Sequence, residues 1–530
     1  MKRSTLILGT LALLTLGSCK KDFLDIRPQQ SVFTSDVFSS LSTARAAVNG
    51  LYSQMQSYSY YGRDAHVIPE ILSDNATRSI KSGNRYTGMN TLTHAATDAN
   101  VGRMWDQIYR TVINANAIID NEEKLRNVVA PLELPELTQL VGEAYAVRAL
   151  AYFDLAKFFS RPLKFTADGS HLCVPLVLKQ PTTVGELTYP ARNTAAEVYA
   201  QIDRDLTAAL ERLPQNGNVI VSGAENANWF RVRLNRWSAL GLKTRVAIYK
   251  EDWTTAAATA TEVINSGRYT LYPFASMVQD FRTPGNAEAM FEVVNNTNDN
   301  PGTDGLAYLS SQQGYGELLA TRQSMNRQTG TTASTFRGLY DAYSASDVRR
   351  QFIPLGNRNS VGGEINVPLA QKYVNISTYQ ENLKIIRFAE MYLSRAEANA
   401  RLALQNADAA ALTSSVADLN LLRNRRDTAT VSRPLNVALS GTPPAGSISL
   451  PAYLDTMMLE RRREFALEGQ RLFDLNRTRT NFVKISTAGS ATSRLIQYDV
   501  APTSFFNRTI LPIPNGELAV NPNLLQNPGF

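Results

Sequence analysis

Residues 235–267 read NRWSALGLKTRVAIYKEDWTTAAATATEVINSG. The stretch predicts two helices folded back on one another, Asn235 to Tyr249 and Trp253 to Asn265. Lys250, Glu251 and Asp252 form the turn between them, Asp252 can cap the second helix, and Gly267 suits its C-terminal end. Small Ala256, Ala257, Ala258 and Ala260 allow two helix backbones to approach closely.

The pattern recurs on both sides. A second pair is expected from about Ile386 to Ala403 and from about Asp408, a natural N-cap, to Arg425. Upstream, Trp105 to Asp120 sets Trp105, Ile108, Val112, Ala115 and Ile119 at helical spacing. Glu143 to Phe159 (EAYAVRALAYFDLAKFF) is apolar around most of its surface, so it is expected to be buried, and Arg161-Pro162 stops it. Thr194 to Leu213 and Leu454 to Leu475 are two further helices. Aromatic-and-alanine pairs of this kind look like tetratricopeptide repeats, spaced too irregularly for a uniform solenoid. Polar stretches at about 56–100, 160–192, 282–335 and 427–450 are read as long loops, the places where a helical scaffold builds ligand contacts.

With 530 residues, 44% of them hydrophobic, the chain can bury a large core. Its 54 Lys and Arg against 47 Asp and Glu give a formal charge of +7, or +5 without Lys2 and Arg3, which gives little support to a nucleic-acid partner. His66, His94 and His171 are far apart, and no zinc, Walker, nucleophile-elbow or dinucleotide motif is present, which removes the commonest enzyme classes. No cofactor is expected, and metal binding is left open, since no metal-ligand spacing stands out. The N-terminus has the layout of a secretion signal: Lys2 and Arg3, an apolar run from Leu6 to Leu16, then small Gly17 and Ser18. As a helix that run is roughly 16 Å long, too short for a bilayer core of about 30 Å. Leu16-Gly17-Ser18-Cys19 resembles a bacterial lipobox, so residues 1–18 are expected to be removed and Cys19 lipidated. That leaves Cys173 with no disulfide partner.

Several segments together resemble the SusD/RagB family of nutrient-binding outer-membrane lipoproteins. They are CKKDFLDIRPQ from Cys19, YRTVINANAII, EAYAVRALAYFDLAKFFSRPL, the 235–267 hairpin, IIRFAEMYLSRAEANARL with LNLLRNRR, ERRREFALEGQRLFDLNR, and the closing LPIPNGELAVNPNLLQNPGF. The last residue, Phe530, stands where Tyr is common in the family. The resemblance implies a mainly α, SusD-like fold over residues 19–530, with irregular tetratricopeptide-repeat helical pairs and a loop-rich second region. The scaffold is expected over about 35–280 and 380–480, with ligand-facing parts over about 56–100 and 282–380. It also implies a lipid-anchored protein on the outer face of the outer membrane. Such a protein captures an oligosaccharide or peptide and, by a hinged lid motion, delivers it to a SusC-like TonB-dependent transporter. A surface hydrolase on the same scaffold and a periplasm-facing assembly protein are the alternatives.

Within ERRREFALEGQRLFDL, Glu460, Glu464 and Glu468 repeat every four residues along the expected helix. Paired carboxylates serve glycoside hydrolysis. Carboxylates on one helix do not readily flank a scissile bond, so a structural network is expected, with Glu460 meeting Arg463 and Glu468 meeting Arg471. Ligand contacts are sought in aromatic and amide-rich loops, because tyrosine offers an amphipathic face and Asn, Asp and Arg pair with hydroxyls or peptide groups. One group is Tyr58, Tyr60, Tyr61, Arg63, Asp64, Asp74, Asn75, Arg78 and Tyr86. The other is Asn295, Asn296, Asp299, Tyr308, Gln312 and Tyr315. Trp229 is the tryptophan expected to be exposed, whereas Trp105, Trp237 and Trp253 sit at packing positions.

Overall fold

The computed structural model describes residues 38–80, 83–225, 229–323, 337–358, 364–486, 492–498 and 504–530. Cys19 and the expected leader lie outside them. Helices carry the architecture, and most begin on a side-chain cap. The scaffold helices are α1 (Leu41–Gln56), α2 (Asp64–Leu72), α3 (Ala99–Asp120), α4 (Leu134–Phe159), α5 (Ala195–Arg212), α6 (Arg236–Lys250), α7 (Trp253–Asn265), α8 (Phe388–Asn406), α9 (Ala409–Arg426), α10 (Leu450–Glu464) and α11 (Arg471–Thr478). Asn235 accepts from the backbone N–H groups of Trp237 and Ser238 at the start of α6, Asp252 from Thr255 at the start of α7, and Asp408 from Ala410 and Ala411 at the start of α9. Each cap satisfies donors that a helix start leaves open.

Successive helices pack in pairs: α3 with α4, α6 with α7, and α8 with α9, while α5 also packs on α4 and α7 on α8. Ala256 and Ala260 on α7 are fully buried, the close approach that their size allows. Helix α4 runs through the middle, buried along nearly its whole length. The C-terminal tail closes over its end. Leu511 donates its N–H to the Phe158 carbonyl at 2.7 Å, and the Asn527 amide bridges the Phe159 and Leu511 carbonyls at 2.8 Å each. No helix among the described residues is long and apolar enough to cross a membrane.

Short antiparallel strand pairs, β1 (Ala76–Arg78) with β3 (Leu318–Ala320) and β2 (Ala289–Val293) with β4 (Leu383–Arg387), fix the second region to the scaffold. The 56–100 stretch is not one long loop: it holds α2 and β1, both fully buried. The single helix expected from Leu454 to Leu475 is two helices, α10 and α11, separated by a turn in which Leu467 (φ 62°) and Gly469 (φ 75°) take the left-handed conformation. A β-carbon at Gly469 would lie 2.3 Å from the Ala65 carbonyl oxygen, so only glycine fits where this turn meets α2.

Candidate functional site

The carboxylates of the ERRRE segment do not form a catalytic pair. Glu464 is fully buried; its Oε1 accepts from Arg387 Nη1 at 2.8 Å, and its Oε2 from Arg349 Nη1 at 2.9 Å and Arg426 Nε at 3.1 Å. Burial alone would raise its pKa, but the three guanidiniums outweigh this and hold the carboxyl well below the usual range. Glu460 pairs with Arg463 at 3.2 Å as the spacing predicts, and with Arg349 at 2.7 Å. Glu468 does not pair with Arg471. The break after α10 turns it toward Lys372 and Arg387, while Arg471 reaches Asp74. These carboxylates are closed to solvent and neutralised, so no substrate bond can lie between them.

The first group of expected contacts is turned inward. Tyr60 and Tyr61 both donate to Asp154 Oδ2 at 2.6 Å, and burial with that carboxylate pushes both phenols far above their ordinary pKa. Arg63 Nε donates to Asp64 Oδ1 at 2.8 Å, and the Tyr86 hydroxyl donates to the same oxygen. Asp74 takes two bonds from Arg471 at 2.8 and 2.9 Å and lies 3.3 Å from Arg462. Burial would raise its pKa, yet these arginines hold it at about 2. Asn75 joins Glu70 to Arg462, and Arg78 is buried on β1. Of this group only Tyr58, under the Arg63 guanidinium at 4.7 Å, is half-exposed. The segment's polarity reflects internal pairing with partners far along the chain rather than solvation.

Part of the second group lies at an open surface together with Trp229. Trp229 (37% exposed) and Asn296 line a cleft of about 310 Å³ together with Asn49, Tyr52, Gln56 and Arg233. The cleft wall is rigid. Tyr52 and Arg233 both donate to Glu143 Oε2 on α4, at 2.6 and 2.7 Å, and Gln56 Nε2 holds the Val294 and Asp299 carbonyls at 2.7 and 2.8 Å. Asn296 Oδ1 accepts from the Asn298 and Asp299 backbone, which fixes its loop. Beyond this loop, the Tyr308 and Tyr315 rings meet edge to face at 4.8 Å, Tyr379 lies 6.3 Å from Tyr308, and the Arg85 guanidinium covers Tyr315 at 4.1 Å. Tyr315 is 36% exposed. An indole face with amides on a fixed wall is suited to a ring that is apolar on its face and hydroxylated at its edge, and the edge-to-face tyrosine pair offers a further aromatic surface.

Asn295 and Gln312 bond to other loops: Asn295 Nδ2 to the Glu381 carbonyl at 2.8 Å, and Gln312 to the Asn357 carbonyl. Trp105 and Trp253 are buried, and Trp237 packs on the core with Nε1 donating to Asn216. Tyr379 and Arg85 escaped the sequence reading; the signal for Tyr379 was a lone aromatic in the polar run NISTYQEN. Among the described residues, no three His, Cys, Asp or Glu side chains converge as a metal site would require.

Residues 265–530 match the SusD family, and residues 22–246 match a family described as starch-binding and associating with the outer membrane. The SusD-like protein P2 of Formosa agariphila is 24% identical across 98% of this chain and 98% of its own. A structure described as a putative sugar binding protein from Bacteroides vulgatus is 25% identical, covering 93% of this chain and 99% of that one with a TM-score of 0.73. A SusD superfamily protein from Bacteroides thetaiotaomicron, 23% identical, superposes on 92% of this chain and 100% of its own with a TM-score of 0.74.

Proposed function

The chain belongs to the SusD family, and from that premise we propose that it captures a carbohydrate at the outer membrane and passes it, chemically unaltered, to a SusC-like TonB-dependent transporter. The observation that carries this reading is the convergence of Trp229 and Asn296, 67 positions apart in the chain, on one rigid, solvent-open cleft. The description of the family matched by residues 22–246, and that of the Bacteroides vulgatus structure, support a carbohydrate as the ligand. A non-catalytic role fits the Glu460, Glu464 and Glu468 carboxylates, which are locked in ion pairs. In this reading residues 1–18 are the leader, residues 19–530 form one SusD-like domain, and lipid on Cys19 tethers it at the cell exterior beside the transporter. The tether suits delivery, because a single acyl chain binds a membrane only marginally whereas several hold it firmly.

The test incubates the purified chain with a panel of oligosaccharides and peptides, follows binding and product formation together, and isolates the membrane form for its partners. Binding of an oligosaccharide with no new products, and co-isolation of a β-barrel transporter, is the expected result. Cleavage of a bound ligand would favour the surface hydrolase. Binding of peptides alone would overturn the carbohydrate reading.

A further inference from the structure

On the scaffold, away from Trp229, helices α4, α6, α8 and α11 end around two adjoining hollows of about 100 and 410 Å³ that share Lys164, Arg477 and Arg479 as walls. Arg477 is neutralised by Glu397 at 2.6 Å and Asp474 at 2.8 Å. The other cations here are not. Among the described residues, no carboxylate forms an ion pair with Arg161, Lys164, Arg401 or Arg479. Elsewhere in the interior Arg148, Arg233, Arg245, Arg387 and Arg426 each face a carboxylate, while Arg192 bonds only to neutral oxygens.

Arg161 is 8% exposed, donates only to neutral oxygens of Phe506, Asn507 and Thr509, and lies 3.9 Å over the Phe506 ring. Burial without a counter-charge pulls its pKa down to about 10. Arg401 keeps a buried Nε without a hydrogen-bond partner beside Trp253.

Against the four cations stand the Glu251 carboxylate and the negative ends of four helix dipoles, so positive charge is in excess, and a group of low negative charge fits better than a polyanion. The larger hollow falls in the range of small-ligand sites, and Phe165 at the rim, 44% exposed, offers an apolar face to a ring.

We propose that this cleft is a second binding site, for a monoanionic sugar residue: a uronate, or a ring bearing one sulfate ester. The choice of a sugar as carrier of the anion rests on the carbohydrate reading above; the anion itself follows from the unpaired cations.

The test titrates the full chain with a galacturonate tetrasaccharide and with its neutral methyl ester, and with a singly sulfated disaccharide and its unsulfated form. Vesicles with and without anionic phospholipid form the third arm. The acidic member of at least one sugar pair should bind at least tenfold more tightly than its neutral form. That preference should weaken with salt and disappear in Lys164→Glu/Arg479→Glu, whose side chains are both exposed. Arg401→Gln provides a second, milder variant, and Trp229→Ala should leave the preference intact. Equal affinity within both pairs, or a preference that survives the double reversal, overturns the proposal. Binding to anionic vesicles alone, lost in the same variants, assigns the site to a phosphate headgroup and also overturns it. Loss of neutral-glycan binding in Trp229→Ala concerns the first cleft only, so the two readings fail separately.

Discussion

Arg387 and Glu464, 77 positions apart in the chain, meet in a fully buried ion pair in which Nη1 donates to Oε1 at 2.8 Å. Arg349 and Arg426 share the same carboxylate, so its removal leaves three buried guanidiniums without their common counter-charge. Breaking a buried pair from one side costs about 3–5 kcal/mol. Glu464→Gln should therefore lose roughly that much in urea unfolding, while folded molecules keep their glycan affinity. Wild-type stability in this variant would show that the network does not hold the fold.

Asp74 makes the complementary case for the inward-facing group. From just beyond α2 it binds Arg462 of α10 and Arg471 of α11. Asp74→Ala is expected to lower unfolding free energy by about 3 kcal/mol and to leave ligand affinity of the folded fraction unchanged. A variant that is stable but no longer binds would return Asp74 to the ligand surface.

At Gly469 the backbone is left-handed and the Ala65 carbonyl leaves no room for a side chain. Gly469→Ala should destabilise by at least about 2 kcal/mol through strain and displacement of α2 together. Gly267, also left-handed but with open space around its missing β-carbon, serves as the control in which strain acts alone. Equal losses at both positions would mean that the contact with α2 adds nothing.

His94 is buried with Nε2 3.2 Å from the Ile510 carbonyl; since a carbonyl only accepts, Nε2 carries the proton. Burial pulls its pKa from 6.5 down to about 4. Between those values the unfolded chain binds the extra proton, so the stability contribution is complete above pH 6.5 and is lost as the pH falls through 4. The loss is about 3 kcal/mol. His66, also lowered to about 4, acts in the same direction, whereas Glu70, raised by burial to about 7, favours the acidic side between 4.5 and 7. The site-specific readout is the difference between wild type and His94→Gln, whose unfolding midpoint should fall less steeply from pH 6.5 to 4. Parallel profiles would remove His94 from the balance.

The helical pairs were legible because their signals are local. Apolar spacing, an Asn or Asp cap and a terminal glycine all lie within one segment, and α7 begins and ends where its sequence predicts. The path of the chain between α10 and α11 was not, because Glu464 and Glu468 look like neighbours on one helix, whereas α10 ends at Glu464 and Glu468 lies in the turn, paired with Lys372 and Arg387. The Tyr60–Asp154 and Asp74–Arg471 contacts span 94 and 397 positions, and no local pattern separates such a buried polar segment from a solvated loop. Residue chemistry alone points to Trp229, Asn296, Tyr308 and Tyr315, but the meeting of Trp229 and Asn296 depends on how Gln56 and Tyr52 of α1 anchor the 294–299 loop and the 229–234 segment.

Carbohydrate binding at the open Trp229 cleft is tested by an equilibrium titration of wild type, Trp229→Ala and Tyr315→Ala with an oligosaccharide that the wild type binds, run alongside unfolding midpoints. Central aromatic contacts commonly carry 1–2 kcal/mol or more of binding free energy, and about 1.4 kcal/mol is tenfold in affinity. Affinity should weaken by on the order of tenfold or more in Trp229→Ala and by less in Tyr315→Ala, with unfolding midpoints close to wild type in both. Full affinity retained in both variants would contradict carbohydrate binding at this cleft.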